Sequence, residues 1–247
     1  MKSDAPARFA LDPQLDPERL RKEFARAGRV RIGPFLARDG ADRLRTHLTD
    51  RDDWRLVLNA GEKVYEIDRA GQAAMSDGQR EELDRKVLAA AAGGFQYRFE
   101  SIRVPDDEPG RTSRGSLLDD FALFMSGGQA LEMLRTVTGS PDISFADAQA
   151  TRYGPGHFLT SHDDAIEGKN RRAAYVFGLT QGWRAEWGGL LLFHDASGDI
   201  ERGMTPRFNS LNIFAVPQLH SVSYVTPSAP EARLSITGWL RSGRPGT

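Results

Sequence analysis

The spacing of apolar residues divides the chain into a first part with helical periodicity and a second part with strand periodicity. In the first part, apolar side chains recur three or four positions apart, as on a helix that packs one face against a core. We predict helices over 16–27, 39–48, 79–92 and 117–138. The last of these contains Gly127-Gly128, which weakens it, and it ends before Gly139 and Pro141.

Short apolar or alternating runs dominate the chain after residue 139, and such runs are typical of β-strands. We predict strands over 145–153, 173–180, 190–193, 210–214, 221–225 and 234–240. The first part adds a hairpin of 54–58 with 64–67, a strand over 95–99 and a polar loop over 105–116. Helices followed by many short strands indicate an α+β fold with a barrel-like or jelly-roll core.

No linker or internal repeat divides the 247 residues, so we expect a single domain over 1–247. Residues 1–139 would form a helix-rich supporting half. Residues 140–241 would form the core that carries the functional side chains.

Composition removes several classes of function. The chain has no cysteine, so disulfides and thiolate metal sites are excluded and a metal ion would need nitrogen and oxygen ligands. The formal net charge is -1 and no long basic run is present, so no nucleic-acid partner is expected. No apolar run approaches the ~18 residues of a membrane span, and the N-terminus lacks the apolar segment of a secretory signal. We therefore expect a cytoplasmic protein without a membrane partner.

Two histidines and a carboxylate in the second part form a candidate metal site. His162 and Asp164 lie in Thr160-Ser-His-Asp-Asp164, and His220 ends Pro217-Gln-Leu-His220. Alternate side chains of a strand share a face, so His162 and Asp164 would point at one ion while Asp163 points away. Two imidazoles and one carboxylate are the ligand set of a non-haem Fe(II) oxygenase site, which keeps open positions. A single His-x-Asp arises often by chance, so the assignment depends on residues further along the chain.

A guanidinium and a hydroxyl come after the second histidine. Arg233 and Ser235 lie two residues apart and so face the same side of a predicted strand. Together they would hold the distant carboxylate of a small dicarboxylic acid, because the planar guanidinium meets a carboxylate in two hydrogen bonds.

The ordered set of motifs from 140 to 241 resembles the catalytic domain of the 2-oxoglutarate and Fe(II)-dependent oxygenases, in the prolyl-hydroxylase-like branch. The matching stretches are Tyr153-Gly-Pro-Gly156, the His-x-Asp, Arg171-Arg-Ala-Ala-Tyr-Val-Phe-Gly-Leu179, Trp187-Gly-Gly-Leu190, Leu219-His220 and Arg233-Leu-Ser-Ile-Thr-Gly-Trp239. The resemblance implies a double-stranded β-helix, which is a jelly-roll, cupin-like core, with supporting N-terminal helices.

The resemblance also assigns roles to residues. His162, Asp164 and His220 would be the Fe(II) ligands, and Arg233 would pair with the far carboxylate of 2-oxoglutarate. These four residues form the expected catalytic set. Ser235 would be a second donor to that carboxylate, and Tyr153 would lie near the co-substrate.

One position departs from the family pattern. Gly178 stands where hypoxia-type prolyl hydroxylases carry a second co-substrate tyrosine, so that role is not transferred to Tyr175. The presence of Asp164 disfavours the related halogenases, which lack this carboxylate.

The function implied is a dioxygenase that hydroxylates a C–H bond, with decarboxylation of 2-oxoglutarate to succinate. Its cofactors would be Fe(II) and 2-oxoglutarate, with O2 as a substrate and ascorbate as a reductant. The favoured target is a prolyl residue in a protein or peptide, since the resemblance lies closest to that branch. The alternatives are a hydroxylase of a free amino acid or small metabolite and a non-catalytic metal-binding sensor, which would have no need of Arg233 and Ser235. Loops at 59–63 and 105–116 are expected to recognise the substrate, and Trp183, Trp187 and Trp239 are expected to pack in the core.

Overall fold

A computed structural model describes residues 8–243 and shows a helical layer packed against a curled antiparallel sheet. The α-helices are α1 Pro17–Ala27, α2 Gly40–Thr49, α3 Arg69–Ala74, α4 Asp77–Ala91, α5 Glu108–Arg114, α6 Leu117–Met125 and α7 Gly128–Thr138. The strands are β1 Arg29–Ile32, β2 Arg55–Ala60, β3 Lys63–Ile67, β4 Tyr97–Arg103, β5 Ile143–Ala146, β6 Gln149–Tyr153, β7 Phe158–His162, β8 Arg171–Gly178, β9 Leu191–His194, β10 Ile200–Met204, β11 Ser210–Ala215, β12 His220–Val222 and β13 Arg233–Ser242.

Local sequence signals explain where the N-terminal helices begin and end. Asp16 caps α1 by accepting a hydrogen bond from the backbone N–H of Arg19, and Pro17 suits the first helical turn. Gly28 ends the helix in the left-handed conformation. The helix buries Leu20 and Phe24, as the apolar spacing predicts.

The strands form one hydrogen-bonded path that folds back on itself. Its order is β1, β11, β8, β13, β6, β4, β7, β12, β9, β10, with β2, β3 and β5 attached at the side. The first five strands make one face and the last four make the opposing face, with β4 between them. This arrangement is a double-stranded β-helix, so the predicted fold class is confirmed.

Each face of the curled sheet carries an apolar cluster, one outside and one inside. The helices pack on the outer face, where the rings of Phe121 in α6 and Phe177 in β8 stack with centroids 5.1 Å apart. The interior holds a second cluster that includes Val176, Leu191 and Phe214. Because alternate residues of β8 point to opposite faces, one strand serves both clusters.

The predicted polar loop over 105–116 is wrong, because α5 lies within it. The residue that holds α5 against the core is Arg111, which is charged and yet buried. The guanidinium donates to the backbone oxygens of Pro105, Ala122 and Ala146 and to Ser126 Oγ. A search for apolar residues cannot find an anchor of this kind, since the polar group is satisfied by backbone carbonyls.

Two predicted elements are each divided in two. The helix over 117–138 breaks at Gly127-Gly128, where α6 has ended and α7 begins with Gly128 at φ 52°. The strand over 145–153 is interrupted at Asp147 and Ala148, between β5 and β6. The polar elements α3 and β10 were absent from the prediction, because neither presents an apolar stripe.

None of the helices between residues 8 and 243 is both long and apolar enough to cross a bilayer.

Candidate active site

His162, Asp164 and His220 converge at one end of the sheet interior. His162 ends β7 and His220 begins β12, and these two residues are paired in the antiparallel register. The Nε2 atoms of His162 and His220 each lie 3.4 Å from a different carboxylate oxygen of Asp164. Donor atoms at this separation can share one ion through bonds of about 2.0–2.2 Å. The three predicted ligands therefore form a cluster that could hold a metal ion.

Backbone carbonyls fix the orientation of both imidazoles. Nδ1 of His162 lies 3.0 Å from the carbonyl oxygen of Thr160, and Nδ1 of His220 lies 2.8 Å from that of Gln218. Because a carbonyl only accepts, each Nδ1 carries the proton and each Nε2 keeps its lone pair free. Burial lowers the pKa of His220 to about 4, which keeps this ring neutral and able to bind a metal at neutral pH.

Asp164 reaches the histidines through a turn and not through the strand periodicity that we predicted. β7 ends at His162, and Asp164 has φ 63°, in the left-handed region that Asp tolerates better than most residues. Asp163 is exposed and is also among the residues that line the cavity, and its Oδ1 accepts from the N–H of Ala165. Burial raises the pKa of Asp164, but its contacts with His162 and His220 lower it overall.

A cavity of about 590 Å³ opens beside this cluster. One wall is a ladder of aromatic rings, Phe95, Tyr97, Phe99 and Tyr153, with successive centroids 5.5, 5.6 and 5.2 Å apart. At the mouth, Phe95 is 51% exposed and Ile166 is 55% exposed. Of the described residues, none in the predicted recognition loops at 59–63 and 105–116 lines the cavity. The residues at the mouth come instead from the segment just before β4 and from the turn after the His-x-Asp.

Arg233 lies at the inner end of the cavity and is 4% exposed. Its guanidinium carbon lies 5.3 Å from the centre of the Tyr153 ring. Burial lowers the pKa of Arg233, and its Nη1 is buried without a hydrogen-bond partner. No carboxylate of residues 8–243 forms an ion pair with it. An unpaired charge is costly to bury, so an anionic ligand that bound to Arg233 would stabilise it.

The two remaining predicted co-substrate residues differ in position. Tyr153 is buried and lines the cavity, where burial raises its pKa well above the ordinary value. Ser235 is buried but is not among the lining residues, and its hydroxyl lies 2.9 Å from that of Thr151, which does line the cavity. The role of Ser235 as a direct donor stays a prediction.

Arg171 and Trp239 also belong to the site, although Trp239 was expected to pack in the core and Arg171 had been given no role. The Arg171 guanidinium stacks 3.5 Å from the centre of the Trp239 ring, and its Nη1 donates to the backbone oxygen of Asp164 at 2.8 Å. Both residues line the cavity. Trp239 packs on the interior cluster, as expected of a core residue, but its other face meets the site. Two features of the sequence could have indicated these residues. Arg171 begins the strand that follows His162 and Asp164, and Trp239 lies on the same strand face as Arg233.

Comparison with known sequences adds to this geometry. The sequence model of the 2OG-Fe(II) oxygenase superfamily matches residues 148–241, which contain all three candidate metal ligands and Arg233. Over this segment the chain resembles the 2OG-Fe(II) oxygenase superfamily. Its oxygenases use 2-oxoglutarate, and the cofactors that the family implies are Fe(II) and 2-oxoglutarate. Among curated proteins, none matches the chain.

Solved structures share the fold of this chain at low sequence identity. A Pseudomonas putida prolyl-4-hydroxylase is 18% identical, with a TM-score of 0.58 over 92% of this chain and 99% of its own. A Trichoplax adhaerens prolyl hydroxylase, in complex with a hypoxia inducible factor oxygen degradation domain peptide fragment, is 13% identical, with a TM-score of 0.53 over 92% and 90%. The non-haem alpha ketoglutarate dependent epimerase SnoN from nogalamycin biosynthesis is also 13% identical, with a TM-score of 0.55 over 90% and 81%.

The donor set fits the metal that the family implies. Two neutral imidazoles and one carboxylate suit Fe(II), and the ligands face the cavity, where a co-substrate would have access to the open side of the ion. The unpaired Arg233 provides the positive charge that a dicarboxylic co-substrate requires. The site thus combines a cluster that could hold a metal ion with a separate buried cation.

Proposed function

We propose that this chain is a 2-oxoglutarate- and Fe(II)-dependent dioxygenase that hydroxylates a prolyl residue in a protein or peptide. His162, Asp164 and His220 hold Fe(II) in this proposal, and Arg233 holds the far carboxylate of 2-oxoglutarate. Bound iron supplies the oxidative decarboxylation of 2-oxoglutarate to succinate and the hydroxylation of a C–H bond. The observation that carries the proposal is a His-Asp-His cluster in the same cavity as a buried arginine without a partner.

The protein residues orient the reactants and exclude water. Backbone carbonyls hold each histidine with Nε2 toward the ion, and Arg233 fixes the co-substrate at its far end. Tyr153, Phe99 and the interior cluster surround the space between them with apolar surface. An apolar enclosure of this kind protects reactive groups from solvent.

Two buried donors next to the metal cluster support a substrate with a carbonyl group. Nε of Arg171 and Nε1 of Trp239 are both buried without a hydrogen-bond partner, and both residues line the cavity. A backbone carbonyl of a bound polypeptide would satisfy such donors.

The mouth of the cavity favours a polypeptide over a free amino acid. Phe95 and Ile166 leave apolar surface exposed at the rim, and the neighbouring Tyr97 extends it inward. A small polar metabolite would need charged groups that close around it, whereas a polypeptide can cover an apolar rim. The Trichoplax adhaerens neighbour is a hydroxylase in complex with a peptide fragment, which is consistent with this proposal.

Substrate-stimulated succinate formation tests the proposed substrate class. The iron-loaded protein is incubated with 2-oxoglutarate, O2 and ascorbate, with either a library of proline-containing peptides or a panel of free amino acids and small metabolites. We expect peptides to stimulate succinate formation and to gain one oxygen atom on proline. Stimulation by small metabolites alone would favour the alternative hydroxylase. If the protein forms no succinate either with or without added substrates, the metal-binding sensor would be favoured.

The cytoplasmic location stays a prediction, which cell fractionation would test.

A further inference from the structure

Asp147 is a buried carboxylate that the proposed chemistry does not use. It lies between β5 and β6, opposite Trp239 on β13. Its N–H donates to the carbonyl oxygen of Trp239 at 3.1 Å, and its Oδ1 accepts from the N–H of Trp239 at 2.6 Å. The side chain therefore replaces a backbone carbonyl as the acceptor at this point of the sheet.

The backbone of Asp147 is also fixed against the wall of the cavity. A Cβ atom on Gly238 would lie 2.0 Å from the carbonyl oxygen of Asp147, so only glycine allows this close approach. The hydroxyl of Tyr175 donates to the same oxygen at 2.8 Å. Gly238, Trp239 and Tyr175 all line the cavity, whereas Asp147 does not.

A chain of contacts leads from Asp147 to the candidate metal ligand Asp164. Asp147 holds the backbone of Trp239, and the Trp239 ring stacks under the guanidinium of Arg171. Arg171 Nη1 in turn donates to the Asp164 backbone oxygen and lies 3.8 Å from its Oδ1. Asp164 lies in a left-handed turn outside β7, so its backbone is not fixed by strand pairing. The contact with Arg171 therefore helps to hold the residue in place.

We propose that Asp147 is a positioning residue, which fixes Trp239 so that Arg171 stacks on it and orients Asp164 toward the metal. Asp147 touches neither the cavity nor the metal cluster. Arg241, 3.8 Å away, and Arg171 both favour its charged form, yet burial still raises its pKa to about 6. The structure thus keeps an acid at a position where burial opposes its charge, and its acceptor oxygen serves Trp239.

Three variants test this role. Asp147→Ala removes the acceptor, and Asp147→Asn keeps a carbonyl oxygen at the same place. Asp106→Ala is the matched control, since Asp106 lies 3.5 Å from the same Arg241 but makes no hydrogen bond to Trp239. Two readouts are compared: the near-ultraviolet circular dichroism of metal-free protein, with Trp239→Phe to identify the Trp239 signal, and the rate of succinate formation without added substrate.

We expect Asp147→Ala to lose the Trp239 dichroism and to slow succinate formation by about tenfold, the lower end of the effect of removing groups that orient metal ligands. Asp147→Asn and Asp106→Ala should keep the signal and stay within about twofold of the wild-type rate. If Asp147→Ala does not fold, Trp239→Phe replaces it, because this variant keeps the backbone hydrogen bond and removes the stacked indole. A wild-type rate in Asp147→Ala, or in Trp239→Phe where that is the variant used, would overturn the proposal. So would a loss of rate in Asp106→Ala as large as that in Asp147→Ala.

Discussion

In the proposed function, Arg233 selects the co-substrate, because it is a buried cation with an unsatisfied Nη1. Its identity could be predicted from Arg233-Leu-Ser235 after the second histidine, and so could the three residues of the metal cluster. The reason given for Asp164 was wrong, since the strand ends before it. Arg171 and Trp239 were missed because their partners, the Asp164 backbone and each other, are set by the turn and not by sequence spacing.

Replacing Arg233 with Gln should weaken binding of 2-oxoglutarate by about 2–5 kcal/mol, since the far carboxylate would then be buried without its charged partner. Anaerobic titration of the Fe(II)-loaded protein measures this affinity. The matched ligand is 2-oxobutyrate, which has the same 2-oxo acid group but no far carboxylate, and its affinity should change little. An equal loss of affinity for both ligands would show that Arg233 does not bind the far carboxylate.

Asp163 and Asp164 are adjacent carboxylates that should behave differently. Asp164→Ala should abolish Fe(II) binding, because it removes the one oxygen ligand of the cluster. Asp163→Ala removes a turn hydrogen bond to the N–H of Ala165 and should lower the free energy of unfolding by only about 1 kcal/mol. Fe(II) binding and thermal unfolding of both variants test this. Retained binding in Asp164→Ala with loss in Asp163→Ala would mean that the assignment of the ligand is wrong.

At the scale of elements, most strands of the site were predicted to within a few residues, because each carries an apolar run for one face of the sheet. The exception is β7, which carries His162 and was not among the predicted strand ranges. β8 and β13 are the best examples, since they are buried along nearly their whole length. The division between β5 and β6 was not predictable, because it depends on the Asp147 side chain replacing a backbone acceptor. The anchor of α5 was missed for a similar reason, as Arg111 is satisfied by carbonyls from other elements.

Gly178 at the end of β8 has a packing reason to lack a side chain. A Cβ atom there would lie 2.2 Å from the carbonyl oxygen of Arg207, in the turn between β10 and β11. Gly178→Ala should therefore lower the free energy of unfolding by about 1–3 kcal/mol or more, as expected for an over-packed site. The same contact explains why a tyrosine is not accommodated at this position.

The control is Gly78→Ala in α4, where a Cβ atom would meet nothing within 4 Å. This change should be neutral or stabilise the protein by up to about 1 kcal/mol, since alanine favours a helix. Denaturant unfolding of both variants compares the two sites. Equal stability of Gly178→Ala and wild type would show that the turn moves freely.

At the scale of the whole molecule, the stability should depend on pH through Asp147. Burial and Asp106 raise its pKa and Arg241 and Arg171 lower it, with a result of about 6 against an ordinary 3.8. The folded state therefore holds this proton more tightly than the unfolded state. Its contribution to stability is present below pH 3.8 and is lost as the pH rises to 6.

Asp147→Asn has no such proton to lose. The stability of this variant relative to wild type should therefore rise by about 2–3 kcal/mol between pH 4 and 6 and stay constant above that. Denaturant unfolding of both proteins at several pH values measures the difference, and other titrating groups cancel in it. A difference that does not change with pH would contradict the raised pKa.

The fold of the core over 140–241 could be predicted from the order of its motifs. The substrate could not, because the cavity mouth is built from the segment before β4 and from a turn, and neither carries a motif. The central claim is that the His-Asp-His cluster and Arg233 form one Fe(II) and 2-oxoglutarate site. The most direct measurement is an anaerobic titration of the protein with Fe(II) and then 2-oxoglutarate, monitored in visible light for the charge-transfer band of the chelate. We predict a band that saturates in the wild type, is lost in His162→Ala, and needs far more 2-oxoglutarate in Arg233→Gln. Fe(II) bound by the wild type without any band would contradict the account.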